Sequence, residues 1–114
     1  MVIDTVDPRG FKITCDSGTW NKHIETGHTI MQGNKNAVKE TIENPEVIYQ
    51  SDQSPVRNVY FSKVNSSPFP HLYTKVVVEI DEINETGEVV SAWPQKYISG
   101  GIVQEGIIYV KSKL

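Results

Sequence analysis

Hydrophobic and polar residues alternate with a period of two over most of the chain that follows Pro45. Four segments show this pattern and are predicted to be β-strands: 47–51, 58–64, 72–81 and 88–93. Two further short strands are predicted at 11–15 (FKITC) and 106–111 (GIIYVK). Short loops rich in Ser, Pro, Asn and Gly separate the four segments, so we expect these strands to pair in chain order as an antiparallel meander.

The segment 72–81 shows the alternation most clearly, because its even-numbered residues are apolar or Thr and its odd-numbered residues include the polar groups. The even-numbered residues are therefore expected to face the helices. A five-residue turn at 83–87 places Val77 opposite Trp93. On this register the other face of the sheet, here called the open face, presents these side chains together: Tyr73, Lys75, Glu79, Ser91 and Trp93.

A helical period precedes the strands. Trp20, Ile24 and Met31 are four and seven residues apart, which places them on one stripe of a helix. This helix is predicted to begin at an N-cap, Ser17, and to end near Gly27. A second helix is predicted from an Asn cap at position 34 or 36 to position 44, just before a proline. The fold class is therefore α+β: two short N-terminal helices packed on a four- to five-stranded antiparallel meander sheet.

The composition is that of one folded domain, 1–114, because the chain has 114 residues, is 38% hydrophobic and contains no repeat or long linker. No apolar run approaches the ~20 residues that span a membrane, and the N-terminus lacks the basic and apolar regions of a secretory signal. A single cysteine and three histidines predict neither a disulfide nor a structural metal site. We expect a soluble, cytoplasmic protein without a cofactor.

Acidic and basic residues are unevenly distributed along the chain. The net charge is −3, yet six acidic residues and one basic residue between positions 76 and 105 already give −5. The rest of the chain is slightly positive and contains all three histidines together with Lys22, Arg57 and Lys75. Binding of a nucleic acid would therefore require a local cationic pocket in that part. The alternative is that these lysines are ordinary solvated surface residues.

His23 and His28 are the first candidates for acid–base chemistry, since an unperturbed histidine titrates near neutral pH. Five residues apart on a straight helix, they point about 140° away from each other. A break at Gly27 could bring them together, and the alternative is that both are interface residues with structural hydrogen bonds. Cys15 is less suited to nucleophilic catalysis, because the neighbouring Asp16 raises a thiol pKa. We predict a structural role for it.

Four motifs carry a resemblance to a known family. They are WNKHIETGHTIM, AVKETIENPEVIYQS, YTKVVVEI and GEVVSAW, in that order. Their order and spacing resemble the phage-associated branch of the barnase, EndoU, colicin and RelE nuclease superfamily, often called the PBECR domain. The resemblance covers about residues 17–93.

The resemblance implies a metal-independent, toxin-like endoribonuclease that cleaves RNA by attack of the 2′-hydroxyl, with an antitoxin or immunity protein as a further partner. The residues that match the catalytic positions of related branches are His23, His28, Lys75 and Ser91. The histidines would act as general base and acid, and the other two would stabilise charge on the phosphorane.

Four further residues are expected to bind substrate: Tyr73, Trp93, Lys22 and Arg57. The two aromatic side chains could stack on bases, and the two basic ones could contact phosphates. A different class of function stays open, namely a catalytically inactive RNA- or protein-binding module of phage origin with the same fold. The acidic net charge favours this alternative, and the histidine pair favours the enzyme.

Overall fold

A computed structural model describes residues 2–25, 34–64, 67 and 69–111, except for the side chains of His23 and Glu25. Within these residues the helical elements are α1 (Ser17–Thr19), which continues as a π-helical segment (Trp20–Glu25), and α2 (Lys35–Glu43). The strands are β1 (Ile3–Val6), β2 (Lys12–Cys15), β3 (Val47–Ser51), β4 (Arg57–Ser62), β5 (Tyr73–Asp81), β6 (Thr86–Gln95) and β7 (Ile102–Val110).

The strands form one mixed sheet in the order β1-β2-β6-β5-β4-β3-β7, in which β2 and β6 are parallel and the other neighbours are antiparallel. The prediction of a four- to five-stranded antiparallel meander is therefore wrong. Local alternation could not reveal β1, because in this strand Thr5 is buried and Val6 is exposed. It also could not reveal that β2 pairs with a strand about seventy positions later in the chain.

The register of β5 and β6 also differs from the prediction. The turn is shorter than expected, since Asp81 pairs with Thr86, and a β-bulge follows in β6. As a result Val77 lies opposite Ser91 rather than Trp93. The register therefore differs by two residues at this point. Because side chains alternate with a period of two, a slip of two residues leaves Ser91 on the face where it was predicted.

The main core lies between the helical elements and one face of the sheet. Trp20 and Ile24 of the π-helical segment and Ile42 of α2 are fully or almost fully buried in this core. They pack in one cluster with the even-numbered residues of β5, such as Val76 and Val78, as the alternation in that strand predicts. No helix in the described part of the chain is long and apolar enough to cross a membrane.

The helix after β2 begins one residue earlier than the sequence suggests. Its N-cap is Asp16 rather than Ser17, and the Asp16 carboxylate accepts a hydrogen bond of 2.7 Å from the Thr19 amide. This bond holds the pKa of Asp16 below its ordinary value. The cap ends β2 and turns the chain into the π-helical segment, which contacts β6.

A buried ion pair joins the first hairpin to β4. The Asp7 carboxylate, 3% exposed, accepts hydrogen bonds from the side chain of Arg9 and from the Tyr60 hydroxyl. Arg9 also donates to Asn58 and to the Tyr60 hydroxyl, and its guanidinium lies 4.4 Å from the centre of the Phe11 ring. The network therefore fastens the β1–β2 hairpin to a strand with which it does not pair.

The open face of the sheet is not fully open. Val47, Val59 and Phe61 are buried there in a second, smaller apolar cluster. Ile98 and Ile102 pack against this cluster. Ile98 belongs to the connection between β6 and β7, residues 96–101, which we call the strap.

Candidate active site

A cleft of about 500 Å³ lies on the open face and contains several of the predicted site residues. Arg57, Lys75, Ser91 and Trp93 all line it. Lys75 lies directly opposite Trp93 in the β5–β6 ladder, and Ser91 lies opposite Val77. The pairing of β5 with β6 therefore places Lys75 in one cleft with Ser91 and Trp93, which lie 16 and 18 positions later in the sequence.

The start of the histidine-bearing helix reaches the rim of this cleft. The described pairs of β2 with β6 run only from Thr86 to Glu88. The chain that follows β2 forms α1 and the π-helical segment, of which the latter contacts β6. Thr19 of α1 lines the cleft together with Val90 and Ser91. His23 lies on the π-helical segment. Its side chain, and the whole of His28, lie outside the described residues.

Lys75 is buried rather than exposed on an open face. Only 4% of the residue is accessible, and its Nζ donates to the backbone carbonyls of Gly100 at 2.7 Å and Ser99 at 3.3 Å. The same nitrogen lies 4.7 Å from the Trp93 ring centre and 5.8 Å from that of Phe61. Lys75 therefore lines the cleft while the strap covers its amine, and its contact with a substrate stays a prediction.

Burial also changes the ionisation of this amine. Desolvation lowers the pKa of Lys75 below its ordinary value, while the negative charge of Asp52 opposes that shift. The two carbonyls of the strap take the place of water around the ammonium group. The amine is therefore held by hydrogen bonds to backbone carbonyls, and the Asp52 carboxylate acts on it only by electrostatic attraction.

Arg57 supplies the second cation of the cleft. Its side chain is 39% exposed, and its Nε lies 3.6 Å from a carboxylate oxygen of Glu79, opposite it on β5. That distance exceeds the range of a hydrogen bond, and the buried Nε has no hydrogen-bond partner. The guanidinium is thus only loosely held and can accept a further anionic partner.

The remaining predicted substrate-binding residues are less central. Tyr73 packs edge-on against Phe61 in the second apolar cluster and is not among the residues that line the cleft. Lys22 is exposed on the π-helical segment and does not line it either. Trp93 does line it, and its Nε1 donates to the Gln95 side chain at 3.2 Å.

Sequence reasoning did not find three polar residues of the cleft. These are Thr19, Ser51 and Gln53, which come from α1, from the end of β3 and from the turn that follows β3. The Ser51 hydroxyl accepts a hydrogen bond from the Gln53 amide, which fixes the turn at that wall. A polar cluster at the end of a predicted strand (QSDQS) was the available signal, but it is also typical of an ordinary turn.

A larger cleft of about 900 Å³ lies near the β5–β6 turn, but its charge does not suit a nucleic acid. Four carboxylate residues line it with one lysine, Lys12: Glu79, Asp81, Glu82 and Glu88. Such a site repels phosphate groups. The smaller cleft, which has two cations, is therefore the better candidate for binding RNA.

Metal binding and thiol catalysis are two other kinds of chemistry that a protein site can use. Within the described ranges, no three His, Cys, Asp or Glu residues lie close enough together to hold a metal ion. Cys15 is buried and free, and burial, together with Asp16 and Glu88, raises its pKa to about 11. A thiol with this pKa is not a nucleophile at neutral pH, in agreement with a structural role.

Comparisons with known proteins add no relative. A scan of protein-family models, a search of curated proteins and a search of solved structures each gave no match to this chain.

Proposed function

We propose that the protein is a metal-independent endoribonuclease that cleaves RNA by transphosphorylation from the 2′-hydroxyl. One observation carries the proposal: Arg57, Lys75 and Ser91 line a single cleft, and the helix that bears His23 begins at its rim. Cations and a hydroxyl that can stabilise a phosphorane, beside a helix that carries a histidine, support an acid–base mechanism at a phosphodiester.

In this proposal each group has a separate role. His23 and His28 exchange the protons of the 2′-hydroxyl and of the leaving 5′-oxygen. The Ser91 hydroxyl donates to an oxygen of the phosphorane, and Arg57 neutralises its charge. The Trp93 ring offers a surface on which a base can stack. Such an enzyme would act in the cytoplasm, where an antitoxin or immunity protein would restrain it.

The test is an RNA cleavage assay in EDTA with identification of the product ends. We expect a 2′,3′-cyclic phosphate, and no cleavage of RNA with 2′-O-methyl groups because the nucleophile is blocked. His23→Ala and His28→Ala should each lower the rate by at least about 100-fold. His71→Ala is the matched control, since His71 is exposed and is not among the residues that line the cleft.

Ser91→Ala tests the contribution of the sheet to catalysis in the cleft. It removes one hydrogen-bond donor and should lower kcat more than affinity, as expected for a contact made mainly in the transition state. Activity that vanishes in EDTA and returns with a divalent ion would refute the mechanism. Normal rates in both histidine variants would do so as well.

The burial of Lys75 favours a second candidate, a catalytically inactive RNA-binding module that uses the same cleft. In the observed conformation the amine donates to two carbonyls of the strap instead of to a phosphate. This candidate predicts salt-dependent binding of RNA without cleavage at any pH. The assay above, run beside a binding measurement, separates the two.

A further inference from the structure

The strap, residues 96–101, covers the amine of Lys75. It is fastened mainly by side chains that donate to its backbone carbonyls. Lys75 donates to two of them, and the Gln95 amide donates to those of Tyr97 at 2.7 Å and Ser99 at 2.6 Å. All of the strap residues are exposed or only half-buried, including Ile98, which packs on the second apolar cluster.

The backbone of the strap is shaped to reach the amine. Gly100 and Gly101 have φ angles of 78° and 69°, which residues with a side chain rarely adopt. A Cβ built on Gly100 would lie 3.4 Å from the Lys75 nitrogen. The two glycines thus let carbonyl oxygens close over the ammonium group. At the end of the strap, the Gly101 carbonyl accepts a hydrogen bond from the Asp52 amide at 3.0 Å.

We propose that the strap is an autoinhibitory lid which a phosphodiester of the substrate opens by taking Lys75 away from the carbonyls of Ser99 and Gly100. The inference rests on the proposed function for the identity of the ligand. Lys75 and Gly101 both line the cleft, so a phosphate bound there lies next to the hydrogen bonds that join Lys75 to the strap.

The exchange is favourable because a phosphate oxygen is charged and binds an ammonium group more strongly than a neutral carbonyl does. Opening also returns to water an amine that is now almost fully buried. Lys75 is then a phosphate ligand in the open state and a latch in the closed state.

The experiment uses a 2′-O-methyl RNA oligonucleotide, which binds but cannot react, and hydrogen exchange at the Asp52 amide. In the free protein this amide is protected by the Gly101 carbonyl. Saturation with the oligonucleotide should accelerate its exchange at least about tenfold. An Asp52 amide that stays protected in the complex would overturn the proposal.

Two variants sharpen the test. Gln95→Ala removes two hydrogen bonds to the strap and the one that Gln95 accepts from Trp93, and it leaves both cleft cations in place. It should bind the oligonucleotide about threefold to tenfold more tightly than wild type. Gln104→Ala, an exposed position on β7, is the matched control. Lys75→Gln should reduce the slope of log affinity against log salt by about 0.7, because one phosphate contact is lost.

The outcomes separate this inference from the proposed function. A lid that opens on the oligonucleotide in a protein that cleaves no RNA refutes the endoribonuclease and keeps the lid. Cleavage of RNA with equal affinities in Gln95→Ala and Gln104→Ala, or an unchanged salt slope in Lys75→Gln, refutes the lid and keeps the enzyme. Absence of binding to the oligonucleotide in every variant also refutes the lid, since the lid then has no ligand.

Discussion

Replacing Asp7 by alanine should destabilise the fold more than most single substitutions. The Asp7 carboxylate accepts five hydrogen bonds: from the amides of Arg9 and Phe11, from Nε and Nη2 of Arg9, and from the Tyr60 hydroxyl. Its removal leaves the Arg9 guanidinium, whose side chain is only 20% exposed, without its anionic partner. Breaking a buried ion pair in this way costs about 3–5 kcal/mol. The partial exposure of Arg9 favours the lower end, about 3 kcal/mol.

The measurement is urea unfolding, with a second variant to assign the loss to the network. Tyr60→Phe removes the hydroxyl that joins both charged groups and should cost about 1–3 kcal/mol. The double variant should lose clearly less than the sum, because the two residues share one network. Asp4→Ala, an exposed position on β1, is the control and should change stability by less than about 0.5 kcal/mol. A loss below about 1 kcal/mol for Asp7→Ala would refute the reasoning.

Three other expectations follow from the core and from buried ionisable groups. Gly87→Ala should cost about 1–3 kcal/mol in urea unfolding, because its Cβ would lie 2.8 Å from side-chain atoms of both Ile13 and Val78; an unchanged midpoint would contradict this packing. The raised pKa of Cys15 keeps the folded thiol protonated at a pH where the unfolded thiol already ionises. The stability of wild type relative to Cys15→Ala should therefore fall by about 2 kcal/mol as the pH rises from 9 towards 11. A stability difference that does not change with pH would refute this expectation. The lowered pKa of Lys75 acts in the opposite direction, because the unfolded amine holds its proton up to about pH 10.5. The stability of wild type relative to Lys75→Met should therefore rise as the pH increases towards that value. A fall in stability would contradict the burial of the amine.

Residues of β5 show which part of the fold the sequence could predict. Its alternation correctly assigns Val76 and Val78 to the helix side and Lys75 to the opposite face, because the period of a strand is a local property. The position of β2 beside β6 depends on contacts between distant parts of the chain. No local pattern encodes such contacts, so the number of strands and the mixed topology were not predictable.

The candidate site could also be predicted only in part. Lys75, Ser91 and Trp93 could be grouped because a slip of two residues preserves the face of a strand. The burial of Lys75 could not be foreseen, because it depends on the path of the strap over the sheet. The pair Gly100–Gly101 predicts a turn, yet it does not predict which side chain the turn covers.

The parallel contact between β2 and β6 also determines when each part of the chain can fold during synthesis. Residues 12–14 find their partners only after residues 86–88 have been made. Until then the first hairpin has no neighbour in the sheet, and Ile13, which is fully buried in the finished fold, stays accessible to solvent or to a chaperone. Contacts of such large sequence separation form slowly. The β3–β4–β5 hairpins can assemble earlier on the ribosome, whereas the N-terminal hairpin joins the sheet only after β6 has been made.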